Sequence, residues 1–153
     1  AGRLPVGACA GAAPPGKRPA PVLPPAVPLE DGAVVDSFEM VPDRTVIFEP
    51  ANDGRIRIVS ATDKDRHAPM PRNPGQVAVS LTVAQEIGAV MEFNSGLSRT
   101  FTYQATVDGV AIPTCPAGGN AVASDQWPQG YTSIVIGKLR LDDALPVCRF
   151  SEE

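Results

Sequence analysis

Val77, Val79, Leu81 and Val83 alternate with Ala78, Ser80 and Thr82, the period-2 pattern of a strand with one buried face. Ala89, Met91 and Phe93 repeat it against Val90 and Glu92. After the turn residues Asn94-Ser95-Gly96, so do Phe101, Tyr103, Ala105 and Val107 against Thr102, Gln104 and Thr106. Three such runs in succession predict a meander. Asp108-Gly109 then separates the third run from Val110-Ala111-Ile112. That dipeptide favours a tight hairpin, because both central residues tolerate positive φ. Pro113 has no N–H to give a neighbour, so the returning strand belongs at a sheet edge.

Upstream, Thr45-Val46-Ile47-Phe48 and Arg55-Ile56-Arg57-Ile58-Val59 flank Asn52-Asp53-Gly54, which reads as a second hairpin with a slightly longer loop. Val34 to Phe38 is expected as an entering strand. Near the end, Val135, Gly137, Leu139 and Leu141 are expected on one face with Lys138 and Arg140 opposite, and Val147 to Phe150 as a short closing strand. No stretch sustains helical periodicity, and Ala84-Gln85-Glu86-Ile87 has room for one turn at most. About seven or eight short strands punctuated by Gly, Pro, Asn and Asp predict an all-β fold. The expected form is a single antiparallel β-sandwich, with the immunoglobulin type as one candidate and a small barrel as the other. Phe48, Phe93, Phe101 and Tyr103 fall on inward strand positions and are expected in its core.

Composition adds a second region. Of 17 prolines in 153 residues, eight lie in the first 28, which excludes helix and paired strand there. Residues 1–29 are therefore read as an extended Pro/Ala/Gly-rich arm and 30–153 as the β domain. In polyproline II form the arm would reach roughly 85 Å. Its only charges are Arg3, Lys17 and Arg18, so it is cationic, whereas the whole chain carries −4. Arg18, Pro19, Pro21 and Pro24 fit the basic-x-x-Pro-x-x-Pro pattern of a polyproline ligand. A pI near 5.0 disfavours nucleic acid as a partner. No apolar run approaches the roughly 18 residues that a spanning helix needs.

Ala1-Gly2-Arg3, without an initiator Met, reads as the end left by a signal peptidase. That predicts an exported protein, periplasmic or extracellular, of a bacterial envelope. The three cysteines, Cys9, Cys115 and Cys148, lack zinc-site spacing. In an exported chain Cys115 and Cys148 are expected to form a disulfide, closing about 34 residues and contributing roughly 3 to 4 kcal/mol. Cys9 is left over for an intermolecular bond or a free surface thiol. Its context, Val6-Gly7-Ala8-Cys9-Ala10-Gly11, resembles a lipobox only weakly, since Arg3 and Pro5 interrupt the apolar stretch.

Candidate chemistry is sparse. The single histidine, His67, stands in the charged run Thr62-Asp63-Lys64-Asp65-Arg66-His67, a loop context that does not supply the fixed geometry of a nucleophile and base pair. Asp63 and Asp65 begin like a calcium loop, but the glycine and distal glutamate are missing and Lys64 and Arg66 would repel a cation. The chain lacks the hydrolase, kinase, zincin and dinucleotide signatures. No catalytic residue, metal or cofactor is expected. Trp127 and Tyr131 share the polar, turn-rich stretch Ser124 to Tyr131, where they would serve as a contact patch or as a loop anchor tucked over the core.

The expected function is a non-enzymatic structural or interaction protein, whose arm docks onto other protein subunits of an envelope or extracellular assembly. The alternative is a soluble binding module, an enzyme inhibitor or carbohydrate binder, using loops 61–75 and 116–131.

Overall fold

A computed structural model describes residues 28–51, 53–63 and 73–142. Among these residues there are ten strands and no helix, hence none long and apolar enough to cross a membrane. The strands are β1 (Val34–Val35), β2 (Ser37–Met40), β3 (Thr45–Pro50), β4 (Ile56–Thr62), β5 (Val77–Ala84), β6 (Gly88–Ser95), β7 (Thr100–Val107), β8 (Val110–Ile112), β9 (Val122–Trp127) and β10 (Ile134–Asp142). A six-stranded sheet runs β1-β4-β3-β5-β6-β9, a four-stranded sheet β2-β10-β7-β8, and every pairing is antiparallel.

The two sheets share one core, built from the inward side chains that the alternation marks. Phe38 of the four-stranded sheet lies 5.7 Å from Phe48 of the six-stranded one, centroid to centroid, and Phe93 lies 5.7 Å from Phe101 and 4.8 Å from Tyr103. These tilted and edge-on contacts suit the ring quadrupoles and fill the space between the layers. The expected core aromatics Phe48, Phe93, Phe101 and Tyr103 are all buried. The β7–β8 hairpin turns on Asp108 and Gly109, with φ 51° and 79°, and β8 ends the four-stranded sheet as Pro113 requires.

Three expectations are corrected. β5 and β6 pair along their full length, but β7 crosses to the other sheet, so the three runs are not a meander. The chain departs where the Gly96 N–H donates to the Gln76 carbonyl (2.7 Å) and the Gly96 carbonyl accepts the Gly75 N–H (3.0 Å). Leu97 then turns into the core. Alternation records which face is buried, not which sheet a strand joins. The entering strand at 34–38 is likewise two strands that change sheet at Asp36: Val34 and Val35 pair with β4, and Ser37 to Met40 pair with β10.

The third correction concerns β10. Ile134, Ile136 and Leu139 are its buried apolar residues, and Leu141 is exposed. The register against β7 shifts between Gly137 and Arg140, and Lys138 adopts φ 52°. A bulge inserts one residue and inverts the alternation beyond it. The strand count exceeds the expected seven or eight for related reasons, since the 34–38 run divides and β9 occupies part of the stretch read as loop 116–131. Residues 1–27 of the arm, including Arg18, Pro19, Pro21 and Pro24, and the closing run at 147–150 lie outside the described residues, while Leu29 at the arm's end packs against the core.

Candidate functional site

β9 ends the six-stranded sheet, pairing with β6 from Ala89↔Trp127 to Asn94↔Val122. Its residues alternate: Asp125 and Trp127 are 6% and 5% exposed, while Val122 is 60% exposed and Ser124 and Gln126 face solvent. Across from it, the segment after β8 continues alongside β7. Thr114 Oγ1 donates to the Tyr103 carbonyl (3.0 Å), and Phe101 and Ala117 exchange two backbone hydrogen bonds of 2.9 Å each. This segment brings the four-stranded sheet's edge towards β9.

Three hydrogen bonds span the gap. The Cys115 N–H donates to Asp125 Oδ1 (2.9 Å), the Tyr103 hydroxyl donates to Asp125 Oδ2, and the Trp127 indole N–H donates to the Pro113 carbonyl (2.8 Å). Above them lies a recess of about 380 Å³, lined by Thr114, Cys115, Asp125, Trp127, Pro128 and Tyr131 among others. A recess of this size takes one ring or one large side chain.

Burial raises the Asp125 carboxyl above the ordinary carboxylate range, and the hydrogen bonds from Tyr103 and the Cys115 N–H pull it part of the way back. Burial, and then the Asp125 charge, push the Tyr103 phenol well above its ordinary value. Both Asp125 oxygens are thus engaged by the protein itself, which makes the carboxylate a pin between the sheets.

Of the residues singled out in the sequence, Cys115, Trp127 and Tyr131 meet at this recess. Trp127 is not on a loop: it ends β9, its indole N–H is used internally, and it offers the recess a wall rather than an exposed contact. Tyr131 is half-buried and packs against the core. Cys115 is disulfide-bonded; Cys148, its expected partner, and Cys9 both lie outside the described residues, as do Asp65 and His67. Asp63 pairs with the buried Arg44 at 2.8 Å. Glu49 accepts from Arg57 and Gln76, which hold its carboxyl below the usual range.

The reading of the sequence missed Asp125 as the centre of the site. A signal was present, for Ala123, Asp125 and Trp127 alternate with Val122, Ser124 and Gln126. A carboxylate at an inward position makes such a run look like loop. No family model matches the chain, and neither a curated protein nor a solved structure shows significant similarity to it.

Proposed function

We propose that the chain is a non-enzymatic interaction module of an exported protein. Its β-sandwich presents the recess beside β9 to a side chain or ring of a partner, and the Pro-rich segment 1–29 tethers it within a larger assembly. The observation that supports binding is the internal pairing of the recess's polar groups. Asp125 accepts from Tyr103 and the Cys115 N–H, and the Trp127 N–H is given to Pro113. What faces a ligand is a preorganised wall of Trp127, Pro128 and Tyr131, and preorganisation lowers the ordering cost of association. The disulfide is assigned to Cys115 and Cys148, in keeping with an oxidising compartment.

Sedimentation of the protein gently extracted from its source, without reductant, tests this reading. Migration in a stoichiometric complex that Tyr131→Ala weakens is the expected result. Migration as a free 16.0 kDa monomer would remove it. Deleting residues 1–28 in the same experiment separates the tether from the recess.

A further inference from the structure

We propose that a second site, the groove between the β3–β4 turn and the bulged half of β10, binds an acidic peptide segment of a partner protein. The inference rests on the interaction-module reading but uses a different surface, since the groove shares no lining residue with the recess beside β9.

The groove has a volume of about 940 Å³. Four cations converge on it from separate parts of the chain: Arg55 from the turn, Arg99 from the β6–β7 crossover, and Lys138 and Arg140 from β10. Against them stand two carboxylates, Asp36 and Asp53, in a chain whose net charge is −4. Both carboxylates are engaged. Asp36 Oδ1 lies 3.5 Å from Arg55 Nε, and Asp53 Oδ1 accepts the Arg55 backbone N–H at 3.2 Å. The Lys138 and Arg140 side chains are exposed and take part in no hydrogen bond or ion pair among the described residues. Four cations against two carboxylates leave the groove net positive, and a concave surface of net charge focuses its field on an oppositely charged ligand.

The backbone supplies a second observation. Lys138 sits at φ 52°, a left-handed conformation that costs a non-glycine residue and that glycine would adopt freely. Without the bulge, the alternation set by Ile134 and Ile136 would turn Lys138 inward. With it, Leu139 enters the core while Lys138 and Arg140 both face solvent and line the groove. Strain held where charges converge points to a ligand.

The wall selects the ligand class. Pro50, Ala51 and the 43% exposed Leu141 line the groove beside the cations. A peptide carrying apolar side chains among its carboxylates covers both kinds of surface, whereas a sulfated sugar chain would leave the apolar wall wet.

The test is fluorescence anisotropy of a short labelled peptide of interspersed Glu and Leu, titrated with the full-length protein at low and high salt. Saturable, salt-weakened binding is expected. Lys138→Asn combined with Arg140→Gln should weaken it about tenfold or more; asparagine tolerates the left-handed backbone, so the fold survives. Arg57→Gln removes a cation paired with Glu49 outside the groove and should leave binding within about twofold. An equal loss in Arg57→Gln, no binding by the unaltered protein, or Lys138-dependent binding of dextran sulfate without binding of the peptide would each overturn the assignment. Tyr131→Ala should not change peptide binding, so the recess and the groove fail separately.

Discussion

The hydroxyl of Tyr103, on β7 of the four-stranded sheet, donates to the carboxylate of Asp125, on β9 of the six-stranded sheet, and so joins the two layers at an edge where no backbone pairing holds them. Tyr103→Phe removes the donor and leaves a buried carboxylate oxygen without it. A hydrogen bond to a charged, buried acceptor contributes about 1.5 to 3 kcal/mol, so a loss of about 2 kcal/mol is expected at pH 7 in urea denaturation.

The same pair sets a pH dependence. Asp125 is raised above its ordinary 3.8 by burial, so the folded protein binds its proton more tightly than the unfolded chain does. Its contribution is full below 3.8 and is lost as pH rises through the folded value. Asp125→Asn, which cannot ionise, should flatten this part of the stability profile. Urea midpoints from pH 3 to pH 7 check it, and an unchanged slope in the variant would show that Asp125 is not the titrating group.

Gly88 opens β6 beneath the end of β9, with φ 97°, and a Cβ there would lie 2.7 Å from the Pro128 Cα and against the Trp127 carbonyl. Gly109 also has positive φ, 79°, but open space around it. Gly109→Ala should therefore cost only conformational strain, about 1 kcal/mol. Gly88→Ala adds a clash with backbone and should cost several times as much. It should also shift the emission of the single tryptophan to the red as Trp127 is displaced from the core. Equal losses in the two variants would mean that β9 yields easily.

How far the fold is legible in the chain depends on what each side chain does. Phe101, Tyr103 and Ala105 against Thr102 and Gln104, and the Asp108-Gly109 turn, state their local structure outright, because burial on one face and tolerance of positive φ are local properties. The sheet that β7 joins is decided instead by long-range pairing with β10, which alternation does not encode. The bulge at Lys138 is hidden because a lysine marks no left-handed position. The recess was half legible. Trp127 and Tyr131 flag the region by type, but Asp125 at an inward position disguises β9 as loop, and the arrival of Cys115 and Pro113 opposite it is a tertiary event. The cationic groove gives no sequence signal, since Arg55, Arg99, Lys138 and Arg140 meet only in the fold.

Cys115 carries the recess's covalent tie, and its N–H also holds Asp125. With Cys148 as its partner, Cys148→Ser should lower stability by roughly 3 to 4 kcal/mol on the chain-entropy model, and Cys9→Ser should leave it unchanged. Peptide mapping without reductant identifies the bridge directly. A Cys9–Cys115 peptide would overturn the pairing and reverse the order of the two variants.

Arg44 is 2% exposed, while its partner Asp63 is 66% exposed. The guanidinium Nε donates to Asp63 (2.8 Å) and Nη1 to the Glu39 carbonyl (3.0 Å), tying the end of β4 to β2 in the opposite sheet. An ion pair with one partner in water gains little from charge alone, so the stability that Arg44 confers comes from its buried volume and its hydrogen bonds. Arg44→Met keeps most of the volume and should cost about 1 to 2 kcal/mol for the lost bonds. Arg44→Ala also leaves a cavity and should cost about 3 kcal/mol or more. Urea denaturation of both variants decides between volume and charge: if methionine proves as damaging as alanine, the buried charge is the source of the stability and the packing argument fails.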